Sequence, residues 1–211
     1  MSVLPLFLSL KTLNPAITIL SAGIFLYILA VGWRHIRIRE LIPLLAGSMV
    51  GIPAGIFFLA RVDEGIIKRV MGIVLVLFIL HSLAPVPQFR RKVTAPWGLL
   101  AGMVGGAMGG ALSMGGPPVV IYLTLRAMNK DEMRSSLAIY FVLIYLYKIP
   151  LLFVGGFFTA EVGTIILIML VPTILGVVAG HYLGTRISSR IFRWILLALL
   201  AVTASIYLFK G

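Results

Sequence analysis

Two features of this chain have residue types and spacing that could do chemistry. The first is Ser113-Met-Gly-Gly-Pro-Pro118, set inside the apolar run "GGAMGGALSMGGPPVVIYL" that starts at Gly105. Glycine and proline are the poorest residues for a helix interior. Pro118 in a continuing helix would lose a hydrogen bond and strike the carbonyl one turn earlier. Proline is, however, well suited to the first turn of a new helix. The pattern therefore predicts a helix over Trp97–Leu112, a break at Ser113–Gly116, and a second half-helix from Pro117 to about Ala127. The start of a helix carries unpaired N–H groups and partial positive charge, which attract anions. Ser113 adds a hydroxyl, and Gly115 and Gly116 let a ligand reach the backbone. The competing reading is a structural kink. The second feature is Lys148, the single Lys or Arg deep within an apolar span, "YFVLIYLYKIPLLFV". A cation there is costly and marks a functional hypothesis, such as neutralising an anion. The alternative is snorkelling, since Gly155 lies about 10 Å further along a helix. Tyr145, one turn earlier, could share the face of Lys148. Pro150 would free a carbonyl near the same level.

Other chemistries lack their residues. With no cysteine, thiolate metal sites and Cys nucleophiles are excluded. The acidic residues fall in or beside loops, so neither a buried carboxylate relay nor carboxylate-pair catalysis is indicated. Ser, His and Asp form no triad pattern. His81 and His181 sit near span ends and read as interfacial, and nothing requires His181 to titrate. No enzyme, metal site or cofactor is expected.

The elements that must position these residues are membrane helices. The chain of 211 residues is 61% hydrophobic, with a mean hydropathy of +1.12. Six apolar stretches read as ordinary spans: 14–33, 41–60, 66–83, 135–154, 161–183 and 191–209. Each is long enough for a hydrocarbon core of about 30 Å. They are too continuously apolar for a β-barrel. The net charge of +12 sits in short loops, as orientation in a membrane requires, and no aromatic-interleaved basic patch suggests nucleic acid. The N-terminus lacks the basic region and cleavage site of a signal peptide.

The chain also repeats. "LAGSMVGIPAGIFFLARVDEGIIKRV" from Leu45 and "LVPTILGVVAGHYLGTRISSRIFRWI" from Leu170 place Gly51 on Gly176, Ala54 on Ala179, Gly55 on Gly180 and Arg61 on Arg186. Each copy has a Gly-x-x-x-Gly face suited to close helix approach. Pro5 pairs with Pro118, and upstream of it the first half has no counterpart of Trp97–Gly115. The expected organisation is a first, N-terminally incomplete repeat over 1–84, a basic proline-containing linker over 85–96, and a second repeat over 97–211. Gly98, Gly102, Gly106 and Gly110 form a smooth strip. If the glycine segment crosses the membrane once, loop Lys and Arg split ten to seven, leaving out Lys148. If it re-enters as a hairpin, they split twelve to five and the repeats become inverted. The positive-inside rule favours re-entry. Inverted repeats around a midplane site are a common transporter plan.

The stretches "GLLAGMVGGAMGGALSMGGPPVVIYL", "MRSSLAIYFVLIYLYKIPLLFVGGFFT" and "GVVAGHYLGTRISSRIFRWILLALL" resemble the second half of the sulfite exporter TauE/SafE family. "WRHIRIRELIPLLAGSMVGIPAGIFFLARV" is similar to that family's first-half stretch. The resemblance implies a multi-pass inner-membrane transporter of small sulfur-containing anions such as sulfite, sulfoacetate, related organosulfonates or thiosulfate. It carries Ser113, Gly115, Gly116, Pro117 and Pro118 over as the substrate-site break, and Lys148 and Pro150 as a matching Lys-x-Pro pattern. Members normally have a Gly-rich break in both halves, and this chain has one.

The expectation is thus an all-α polytopic membrane protein of two related, inverted helical repeats. It has a broken or re-entrant glycine-rich helix in the second half and an incomplete first repeat. Its function would be secondary export of a small anion through a site of Ser113, Gly115, Gly116, Pro117, Pro118, Tyr145 and Lys148. The alternative is a non-transporting or partner-dependent membrane subunit with an incomplete substrate site. The implied partners are the anion, the lipid bilayer and a second copy of the chain as a homodimer.

Overall fold

The computed structural model describes residues 8–33, 36–83, 94–126, 128–184 and 189–210. Within them the chain forms eight helices: α1 (Leu10–Gly32), α2 (Ile38–Arg61), α3 (Glu64–Leu83), α4 (Ala95–Leu112), α5 (Gly116–Leu125), α6 (Lys130–Val154), α7 (Ala160–Gly184) and α8 (Ser189–Lys210). No strand occurs among the described residues. Five stretches are long and apolar enough to cross a membrane: Leu10–Ala30, Ile38–Arg61, Ala95–Leu112, Asp131–Val154 and Ala160–Gly180. Large apolar side chains such as Phe57, Phe153, Leu167 and Val171 point outward, as a lipid environment allows. The protein is all-α and polytopic.

Local signals set the helix ends. Ser9 caps α1 by accepting the Lys11 N–H at 3.2 Å. Asn129 and Glu132 form a reciprocal capping box at the start of α6, with bonds of 2.8 and 3.0 Å. Helix α4 ends at Ser113, whose φ of 51° is left-handed. Helix α6 runs unbroken through Pro150 and ends before Gly156, whose φ is 73°.

The tightest packing joins α2 to α4, which run parallel. A Cβ at Gly47, Gly51 or Gly55 would strike the backbone of Leu99–Met103, Met103–Ala107 or Ala107–Ala111 in turn. On the facing helix, a Cβ at Gly106 would come 2.8 Å from the Ser48 Cα, and one at Gly102 would strike Leu44. The two backbones touch, which is the use of small residues between membrane helices. Around this pair, α1 packs on α6 and α7, and α3 packs on α8.

Helices α4 and α5 form a hairpin. Gly109 faces Gly115, Gly105 faces Gly115 and Val119, and Gly98 faces the Tyr122 ring. The chain therefore returns to the end of the bundle where α4 began. Arg126 at that exit pairs with Glu40 of α2 at 2.9 Å, and Arg37 pairs with Glu132 at 3.6 Å. The glycine segment is thus a broken helix folded back as a hairpin. The break covers 113–115, so α5 starts at Gly116, one residue before the expected Pro117, and α4 starts two residues before Trp97.

One packing expectation needs correction. Helix α7 carries Gly176 and Gly180 as the second Gly-x-x-x-Gly face, yet nothing lies within 4 Å of a Cβ built at either. Its face is exposed. Pro5, Arg186 and residues 85–93 of the expected linker lie outside the described residues.

Candidate functional site at the hairpin tip

The hairpin tip places the end of α4 against α1 and α6. Like any helix, α4 leaves its last four carbonyls without partners in its own ladder. Lys148 of α6, wholly buried, donates from Nζ to the Gly109 carbonyl at 2.7 Å and to Ser113 Oγ at 3.0 Å. Asn14 of α1, also wholly buried, donates from Nδ2 to the Gly110 and Ala111 carbonyls, each at 2.9 Å. Asn14 thus takes up two of the end carbonyls, and Lys148 adds a second donor to the Gly109 carbonyl, which already accepts the Ser113 N–H at 3.2 Å. Ser113 holds a left-handed conformation that glycine would adopt more easily. Its hydroxyl is what the Lys148 ammonium contacts.

Across the break stands the start of α5. Pro117 and Pro118 carry no N–H, so Gly115 and Gly116 provide the free donors of this helix end. Among the described residues, neither N–H donates to a backbone carbonyl. A Cβ at Gly115 would strike the Gly105 carbonyl, so glycine there permits the hairpin to close. Gly116 has no such constraint: a Cβ would lie 3.8 Å from Phe141 Cζ, an ordinary contact.

Phe141 belongs to an aromatic cluster. Its ring centroid lies 4.7 Å from Phe25 and 5.8 Å from Tyr145, and Tyr145 lies 5.9 Å from Phe25. The Tyr145 hydroxyl bonds to Ser21 of α1. Tyr145 is thus near the break through the Phe141 ring, while its own polar atom is engaged elsewhere. The structure brings Ser113, Gly115, Gly116 and Lys148 to one place, with Pro117 and Pro118 as the rigid first turn behind them.

Sequence reasoning missed Asn14. The apolar stretch 14–33 starts there, which places Asn14 at the water interface. Helix α1 actually starts at Leu10, which carries Asn14 inward. Thr18, one turn on, is also buried and bonds the Asn14 carbonyl at 2.7 Å. A polar stripe of Asn14, Thr18 and Ser21 in an apolar helix was the available signal. Equally unforeseen was Ser48 of α2, which bonds Tyr140 of α6 at 2.6 Å and lies 3.0 Å from the Gly102 carbonyl of α4. This node ties three helices together.

Electrostatics separates the readings of Lys148. A cation at a helix C-terminus gains up to about 2 kcal/mol. Desolvating an ion costs several kcal/mol. Among the described residues no carboxylate lies within 4 Å of it, the ion pairs being Arg37–Glu132 and Arg126–Glu40. Two of its three N–H donors are taken by Gly109 and Ser113, which leaves one. Snorkelling does not describe a side chain with no exposure. The break thus gathers hydrogen-bond donors of three kinds: the buried Lys148 ammonium, the Ser113 hydroxyl and the Gly115 and Gly116 N–H groups. Among the described residues no cluster of His, Asp or Glu could hold a metal ion. The side chains of His81 and His181 lie outside the described residues.

No curated protein and no solved structure matches the chain. The family model for sulfite exporter TauE/SafE matches residues 1–207, nearly the whole length, and the protein belongs to this family of multi-pass membrane transporters.

Proposed function

We propose that the protein is a secondary active exporter of a small, sulfur-bearing oxyanion such as sulfite, sulfoacetate or a related organosulfonate. The observation that carries this is Lys148: a fully buried cation, with no carboxylate partner among the described residues, at the junction of a helix end and a helix start. A bound anion supplies the missing countercharge. Family membership supports the sulfur chemistry. By the positive-inside rule the end bearing Arg37, Arg39, Arg126 and Arg134 faces the cytoplasm, in the inner membrane of the cell. The hairpin enters from that side. With α4 about 27 Å long, its tip reaches deep into the bilayer. Transport then alternates access to the tip, with the two repeats, read as inverted, moving against each other.

Uptake of labelled sulfite into proteoliposomes tests the site. Lys148→Met and Gly116→Leu are each expected to lower the rate at least about tenfold, because a buried charge pair is removed or the N–H side is filled. Wild-type rates in both variants would overturn the assignment.

The uncovered glycine face of α7 favours a second reading. In it a different partner chain completes the assembly, and this chain alone does not transport. Flux through the purified chain reconstituted alone supports the first reading and rejects the second.

A further inference from the structure

Asn14 holds the one buried side-chain polar atom without a hydrogen-bond partner among the described residues, its Oδ1. Two carbonyl oxygens lie 2.9 Å from the other end of its carboxamide. Only a nitrogen can face two acceptors, so the orientation of the amide follows from the contacts. Oδ1 is therefore turned away from the α4 carbonyls. A buried acceptor left unmatched is unfavourable, and native interiors rarely keep one. Asn14 and Lys148 grip the same final turn of α4, on successive carbonyls.

The local chemistry is then three kinds of donor and one acceptor. Lys148 Nζ, Ser113 Oγ and the Gly115 and Gly116 N–H groups satisfy anionic oxygens. Oδ1 of Asn14 requires a donor. We propose that Asn14 is a specificity-determining residue of the hairpin-tip site, and that the site selects oxyanions carrying an acidic proton, such as hydrogensulfite, over fully deprotonated anions. This inference rests on the anion-site reading above and narrows its substrates to sulfite in its hydrogensulfite form, over sulfoacetate and other organosulfonates. A fully deprotonated oxyanion sets two acceptors against each other at Oδ1, whereas a protonated one donates to it. Sites built to bond a ligand hydroxyl reject analogues that lack it more strongly than apolar pockets reject a size change.

The test is binding of two monoanions to the purified protein in detergent, by isothermal calorimetry. Hydrogensulfite can give a proton to a hydrogen bond, and methanesulfonate cannot. The wild type is expected to prefer hydrogensulfite at least about tenfold. Asn14→Leu is expected to bring the two affinities within about threefold of each other. Asn14→Ser keeps a hydroxyl donor for the α4 carbonyls but removes the carboxamide oxygen. It is expected to flatten the preference in the same way and guards against misfolding of the Leu variant. Lys148→Met should weaken both ligands together. A parallel loss of both ligands in the Asn14 variants, with the preference kept, would make Asn14 a helix cap only and overturn the proposal. Equal binding of the two ligands by the wild type would also overturn it while leaving the anion site standing. Failure of the wild type to bind either anion would instead overturn the anion-site reading.

Discussion

Helices α2 and α7 share a Gly-x-x-x-Gly face, at Gly51 and Gly55 in one and Gly176 and Gly180 in the other, and meet opposite fates. The α2 face is filled by the backbone of α4, so closely that no glycine on it can gain a carbon. The α7 face meets nothing within 4 Å. Between α7 and α1 the packing even leaves an apolar cavity of about 690 Å³, lined by Leu20, Gly23, Tyr27, Leu170 and Val177 among others. The difference is in the partner rather than in the strip. Helix α4 brings its own glycines at 98, 102, 106 and 110, and two smooth surfaces interlock where one cannot. In a membrane, lipid solvates an apolar helix face as well as another helix does. Close association therefore needs the extra van der Waals contact and hydrogen bonds that small residues allow on both sides. Position 47, a glycine in α2, corresponds to Pro172 in α7, so the second strip is also shorter.

The largest test of this contrast is leucine substitution. Gly51→Leu should leave no monodisperse protein by size-exclusion chromatography, a loss above about 4 kcal/mol, because the added atoms fall on the Met103–Ala107 backbone. Gly176→Leu should elute and unfold like the wild type. Equal damage at both positions would break the comparison and mean that α7 is covered in the assembled protein.

Alanine sharpens it at lower amplitude. Gly106→Ala puts a carbon 2.8 Å from the Ser48 Cα and should cost about 1–3 kcal/mol, read as a lower thermal midpoint. Gly180→Ala has open space and a better helix former, so its midpoint should hold or rise, by up to about 1 kcal/mol.

Polar contacts extend the contrast. Tyr140→Phe removes the bond to Ser48 at the covered face and should cost about 0.6–2 kcal/mol. Thr173→Val changes the α7 position that corresponds to Ser48 and should fall within about 0.5 kcal/mol of zero. A similar loss in both would show that the Ser48 node is not special to the covered side.

Ser113→Gly should act in the opposite direction. Relief of the left-handed conformation should stabilise the fold by about 1 kcal/mol, while removal of the hydroxyl held by Lys148 should weaken anion binding. A destabilised variant with wild-type binding would mean that Ser113 serves packing alone.

The hairpin was legible because its cues are consecutive. Four glycines at helical spacing followed by Gly-Gly-Pro-Pro dictate a smooth helix, a stop and a restart wherever the chain folds. Lys148 was legible because a cation stands out within an apolar run. Asn14 was not, because a polar residue near the edge of a hydrophobic stretch looks like a boundary until the helix start is known. Tyr145 was placed one turn from Lys148 correctly, but its ring went to Phe25 and Phe141 and its hydroxyl to Ser21. Helical spacing gives the side of a helix and not the partner across from it.

By itself, the sequence determined the class of protein, the break in the glycine-rich helix and the presence of a buried lysine. These follow from hydropathy and backbone freedom, which are properties of neighbouring residues. Only the tertiary structure decided which groups meet at the break. Asn14 reaches carbonyls 96 and 97 positions away, and Lys148 reaches back 39 positions to Gly109. It also decided which glycine strip is covered. Such pairings depend on two surfaces fitting at once, and each surface carries no record of the other in its own local pattern.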